Sequence, residues 1–174
     1  MKNILLTIAT TSALTGTAIF VAINAIAQTP TAVRFYCGQT FDPDSNKIVP
    51  TTLIATSAKK EPIAIIQWKS KLSGKQTPQS RCNIVSAKFQ QAWEAKRLNY
   101  LISGVDKTSG LGIICGIKDK TTPCNKETML FTLVNSADAT ATIDRIKNIK
   151  SGSTSNPIYQ SSGDSIVDIQ SMIN

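Results

Sequence analysis

Arg81-Cys82-Asn83-Ile84-Val85-Ser86-Ala87-Lys88-Phe89-Gln90-Gln91-Ala92-Trp93-Glu94-Ala95-Lys96-Arg97-Leu98 is the stretch on which the fold turns. Cys82, Val85, Phe89, Ala92 and Trp93 recur at three- and four-residue steps, which puts them on one apolar stripe of a helix. Lys88, Gln91, Glu94 and Lys96 mostly fall elsewhere on the wheel, and Ser80 is placed to cap the N-terminus. Upstream the pattern changes to strands. Val33, Phe35 and Cys37 alternate with Arg34 and Tyr36. After a polar, turn-rich segment from Gly38 to Pro50, Thr51 to Thr56 is β-prone, and Pro62 to Trp68 is almost wholly apolar. Downstream, Asn99 to Ser103 is a strand stopped by Gly104, Leu111 to Ile117 is a second, and Met129 to Val134 is a third. Ser136 then caps a helix over Ala137 to Lys150, with Ile143, Ile146 and Ile149 on its apolar edge. The order β-β-β-α-β-β-β-α, with connections mostly of hairpin length, predicts an α+β fold: an antiparallel sheet of about five to six strands with two helices packed on it.

Residues 1–27 read as a signal peptide. Met1-Lys2-Asn3 is a short basic start, Ile4 to Ile23 is apolar, and Ala25-Ile26-Ala27 supplies small residues before a cleavage at Gln28. An uncleaved membrane anchor is the competing reading, because the apolar stretch is long enough to span a bilayer. The domain itself is expected over 33–150. Residues 151–174 are expected to be a flexible C-terminal tail: Ser151 to Gly163 is rich in Ser and Gly, and a short helix at 164–173 would carry Ile166, Ile169, Met172 and Ile173.

The 174-residue chain contains no histidine, which excludes His-based triads and His–metal sites. Lys and Arg total 19 against 11 acids, a net charge of +8, which falls to +7 when cleavage removes Lys2. The basic residues are spread along the chain with one denser stretch, Lys59, Lys60, Lys69, Lys71, Lys75 and Arg81; a solvated surface is the favoured reading and an anionic partner the competing one, and no nucleic acid is expected as a partner. Cys37, Cys82, Cys115 and Cys124 are an even number in an exported chain and read as two disulfides. Three pairings exist. Cys37–Cys82 with Cys115–Cys124 is favoured because the second pair is close in sequence and flanks a turn. Zinc is disfavoured by the absence of any C-x-x-C knuckle.

No catalytic, cofactor-binding or metal-binding set emerges. Asp42-Pro43-Asp44-Ser45-Asn46 opens like a calcium loop, but Lys47 stands where the loop needs Gly and Leu53 where it needs Glu. Nucleophile-elbow, Walker and dinucleotide motifs are absent. Ser86 has no evident base nearby and reads as a structural hydroxyl. Trp68 and Trp93 fit core positions better than an exposed stacking platform.

The stretch Thr77-Pro78-Gln79-Ser80-Arg81-Cys82-Asn83-Ile84-Val85-Ser86-Ala87-Lys88-Phe89-Gln90 resembles the T-P-Q-x-R-C-x-x-V-S-x-x-F-Q signature of the circadian oscillating polypeptide family of cyanobacteria. Phe35-Tyr36-Cys37, Ile66-Gln67-Trp68, Leu98-Asn99-Tyr100-Leu101 with Gly104, Ile113-Ile114-Cys115, Pro123-Cys124 and Leu130-Phe131-Thr132-Leu133 follow in family order. The likeness runs from about Val33 to Lys150. Its signature positions include Trp68, Arg81, Cys82, Val85, Ser86, Phe89, Tyr100, Gly104 and Phe131. One departure is Lys118-Asp119-Lys120-Thr121-Thr122, where relatives tend to be Gly-rich. The resemblance implies an exported, four-cysteine domain, and weakly implies peripheral membrane association; it carries no catalytic role to any residue.

The expected function is a disulfide-stabilised, non-catalytic binding module of the periplasm, cell envelope or thylakoid lumen. Its partner would be a protein or an anionic envelope surface, with no cofactor. The alternative is a hydrolase acting on cell-wall or glycan material, which needs acids such as Asp106, Asp119 or Glu127 to converge. A structural envelope component is the third reading.

Overall fold

The computed structural model describes residues 32–69, 76–133, 137–149 and 166–174. The expected signal peptide and the Ser/Gly-rich linker lie outside the described residues. The elements are β1 (Val33–Asp42), β2 (Lys47–Thr56), β3 (Ile63–Gln67), α1 (Pro78–Glu94), β4 (Tyr100–Val105), β5 (Gly112–Ile117), β6 (Met129–Thr132), α2 (Ala137–Ile149), β7 (Ile166–Asp168) and α3 (Gln170–Ile173). The fold is α+β and its strands pair antiparallel throughout, but they divide into two sheets, ordered β1-β2-β3 and β6-β5-β4-β7. The break falls at α1, whose passage from β3 to β4 carries the chain from one sheet to the other.

The polar stretch from Gly38 to Pro50 is a long hairpin, not a loop. β1 and β2 stay paired from Val33↔Thr56 to Asp42↔Lys47, and Asn46 turns the chain at φ 51°. Thr40 and Thr51 suit this hairpin because their hydroxyls find partners inside it. The Thr40 and Thr51 hydroxyls are 2.7 Å apart, and Thr51 donates to the Val49 carbonyl.

α1 is capped one turn earlier than the pattern predicts. The Thr77 hydroxyl accepts from the Ser80 N–H at 3.1 Å, and Pro78 takes the first helical position, where its missing N–H costs nothing. Cys82, Val85, Phe89 and Ala92 are buried against β1 and β2, and α2 packs on β4, β5 and β7. One continuous core results, joining Phe35, Ile54 and Trp68 of the first half to Leu101, Ile114, Phe131, Ile143 and Val167 of the second.

The C-terminal residues depart from the expected tail. β7 pairs with β4 in the register Tyr100↔Asp168 to Ile102↔Ile166, and Val167, Ile169, Met172 and Ile173 are all buried in the core. Five apolar residues within Ile166–Ile173 are enough to hold this segment down. The helical part is only the single turn of α3.

Every residue of β5 is buried. Ile114 faces the main core, while Ile113, Cys115 and Ile117 face a second cluster with Tyr100, Ile102, Met129 and Cys124. The loop after β5 therefore supplies the cover for the outer face of the second sheet.

Candidate functional site

The disulfides join Cys37 to Cys82 and Cys115 to Cys124, each with Cα atoms 5.4 Å apart. The first ties the start of α1 to β1. The second ties the loop after β5 back onto that strand. In the chain-entropy account the closed loops contribute about 4 and 3 kcal/mol respectively.

The signature residues of α1 are occupied by its attachment to the sheets. Thr77 caps it and Cys82 tethers it. Arg81 lies 4.6 Å above the ring of Trp68, and burial lowers its pKa from the ordinary arginine value. The Ser86 hydroxyl donates to Thr52 Oγ1 at 3.0 Å, and Trp68 Nε1 donates to the same oxygen at 3.0 Å, so a buried relay joins α1, β2 and the residue after β3. Val85 and Phe89 are core residues, and Phe131 meets Trp68 edge-on at 5.7 Å. Gln90 Oε1 accepts the Phe35 N–H at 2.7 Å, satisfying a backbone donor on the outer side of edge strand β1.

Gly104 and Tyr100 belong to the outer face of the second sheet. A Cβ at Gly104 would lie 2.7 Å from Cys124 Sγ and 3.0 Å from Cys124 Cβ, so the glycine makes room for the disulfide. Tyr100 packs in the same cluster and carries the Lys120 ammonium 5.6 Å above its ring.

The carboxylates do not assemble into a pair. Asp42 is buried and bonded to Lys69 Nζ at 2.6 Å, and Ser45 donates to it from both its N–H and its hydroxyl. Asp44 is 3.4 Å from the same ammonium. Lys69 thus occupies the place a cation would take in the D-x-D turn. It holds the Asp42 carboxyl below the usual carboxylate value, with Ser45 adding to the effect, and its own pKa is raised in return. Asp106 accepts from Ser109 and Thr108, and Asp119 accepts from Thr121, so each stabilises its own turn and has its pKa lowered by those bonds. These two acids sit beyond opposite ends of β5, about 20 Å of strand apart, whereas glycosidase pairs lie within about 10 Å. Glu127 is exposed on the loop after β5. Among the described residues no three His, Cys, Asp or Glu side chains gather as a metal site.

Among the described residues an open groove of about 610 Å³ is lined by Val33, Gln90, Trp93, Glu94, Lys96, Leu98, Asn99, Lys118 and Gln170. It forms where α1 ends. Lys96 N donates to Trp93 O and Arg97 N to Ala92 O, both at 2.8 Å, closing the helix with Lys96 in the left-handed region at φ 55°. Trp93 is half-buried, packs against the main core with its ring 6.0 Å from Phe35, and also lines the groove. Glu94 accepts from Gln90 Nε2 at 2.8 Å, and Asn99 Nδ2 donates to the Lys118 carbonyl at 2.7 Å. The sequence placed Trp93 at a core position and Glu94 in solvent; Trp93 packs partly buried against the core and Glu94 is exposed. The family resemblance marked Asn99 and the loop that starts at Lys118, but nothing in the sequence joined Lys96, Asn99, Lys118 and Gln170, which come together only through the tertiary fold.

Among the described residues no helix is long and apolar enough to cross a membrane. The family model described as circadian oscillating protein COP23 matches residues 34–174. No curated protein and no solved structure matches the chain.

Proposed function

The chain belongs to the circadian oscillating protein COP23 family, and from that premise we propose that it is an exported, non-catalytic binding module whose partner is an anionic component of the cell envelope or lumen. The observation that carries this reading is the division of labour among its polar groups. Those of the α1 signature are committed to caps, a disulfide, a buried relay and an edge strand, and Asp106 and Asp119 are bound into separate turns. The groove at the end of α1, by contrast, presents Trp93 and two lysines. Two disulfides with no free cysteine among the described residues support an oxidising compartment, in keeping with the leader-like first 27 residues. The net charge of +7 left after cleavage at Gln28 supports an anionic partner.

The test is co-sedimentation of the purified, disulfide-intact protein with insoluble envelope polysaccharide at low and high salt. Binding at low salt that is released at high salt is the expected result. No binding at low salt overturns the reading. Intact mass before and after reduction and alkylation checks export independently: a chain starting at Gln28 with all four thiols blocked until reduction is expected.

A further inference from the structure

We infer that the groove at the C-terminal end of α1 is a subsite for an acidic sugar, a pyranose bearing a carboxylate within a glycan. This rests on the binding-module reading above and names its ligand. Three features of the groove meet the three kinds of surface such a sugar presents. Trp93 offers the apolar wall that the C–H face of a pyranose requires, and its packing against Phe35 at 6.0 Å holds it in place before the ligand arrives. Lys96 and Lys118 both line the groove, both are exposed, and neither ammonium has a partner among the described residues. With Glu94 as the one acid in the lining, the formal charge is two cations less one anion, or +1. That balance favours a carboxylate. Finally, Glu94, Asn99 and Gln170 supply acceptors and an amide donor for ring hydroxyls; only one oxygen of Glu94 is engaged, by Gln90.

Lys96 adds a second line of argument. A lysine in the left-handed region, where glycine is the usual occupant after a helix cap, holds a strained backbone, and such strain collects at ligand sites. Here the strained residue is also one of the two groove cations.

The test uses the full disulfide-bonded protein with trigalacturonate as probe, and with maltotriose and a thymidine trinucleotide as the neutral and phosphate-bearing controls. Calorimetry gives affinity. Tryptophan emission gives location, because Trp68 is 3% exposed and Trp93 lines the groove. The expected result is saturable trigalacturonate binding with a change in emission, tighter than either control. Lys118→Gln and Lys96→Gly, both at exposed positions, are each expected to weaken it about fivefold, the upper range for a solvent-accessible ion pair. Affinity for maltotriose or the trinucleotide equal to that for trigalacturonate overturns the inference, as does full retention of binding in both lysine variants. If trigalacturonate fails while envelope polysaccharide still co-sediments, the sugar assignment falls and the binding-module reading stands. If neither binds, both fall.

Discussion

Gly104→Ala is the sharpest test of how the second sheet is built. At an unconstrained strand position, replacing glycine by alanine stabilises a protein by about 0.4–1 kcal/mol, because the unfolded chain loses freedom. At Gly104 the added methyl would stand 2.7 Å from Cys124 Sγ and 3.0 Å from Cys124 Cβ, closer than such contacts normally come. Neither neighbour yields easily, since Cys124 is bonded to Cys115 on fully buried β5. Overpacking of this kind costs about 1–3 kcal/mol. Setting the midpoints of the two ranges against each other gives a net loss of about 1.3 kcal/mol, read as a lower urea midpoint at unchanged m-value. The decisive comparison is the same substitution in a Cys115→Ala, Cys124→Ala background. Removing Sγ eliminates the tightest contact, so the penalty there should shrink by about 1 kcal/mol or more, a coupling measured as a double-mutant cycle. A neutral or stabilising Gly104→Ala in the oxidised protein would refute the close-approach argument, and so would a penalty of equal size in both backgrounds.

Thr52→Val keeps the shape of the buried relay but removes the acceptor of both Ser86 and Trp68, and is expected to cost about 2–3 kcal/mol, against about 1 kcal/mol for Ser86→Ala, in urea unfolding. Lys96→Gly relieves the left-handed backbone and should raise stability by about 1 kcal/mol while weakening ligand binding, a trade visible in paired melting and titration experiments. Asp42, Asp106 and Asp119 all have carboxyl pKa values below the ordinary 3.8. With folded values depressed, the unfolded chain binds more protons in acid, so the stabilisation is complete above 3.8 and is lost as pH falls through the depressed values; Tm should drop below about pH 4, and Asp42→Asn should blunt the drop.

The helix–strand order was legible because α1, β3 and β5 carry strong apolar patterns in windows of their own. The division into two sheets was not, because periodicity shows which face of a strand is buried and not which strand lies beside it. The hairpin of β1 and β2 was not read across Gly38 to Pro50, where most residues are polar, and the partners of Thr40, Thr51 and Thr52 within it were not legible. Their hydroxyls are satisfied by one another, by Val49 and by Ser86 and Trp68, which sequence alone does not reveal. The docking of Ile166–Ile173 was missed for the opposite reason: a short apolar segment beyond a Ser/Gly-rich stretch has no meaning until β4 offers it an edge. The groove was the least legible part, since its lining comes from β1, α1, the turn after it, the loop after β5 and α3.

The pairing of β7 with β4 also sets an order of events. β4 reaches β5 across a separation of 7 residues at Val105↔Gly112, but reaches β7 across 64 at Ile102↔Ile166. Closing the longer loop costs up to about 2 kcal/mol more in chain entropy, returned only after α2 has given Val167 and Ile169 something to bury against. The β4–β5–β6 meander is therefore expected to form before β7 docks as a latch, whose far end is held by Lys59 Nζ donating to the Met172 carbonyl at 2.8 Å. A latch of three strand residues is also the first part to release, so amide exchange in β7 should run ahead of that in β5. Gln170 of α3 lines the groove, so each opening of the latch takes one wall of the ligand site with it, making binding and the closing of the fold a single coupled equilibrium.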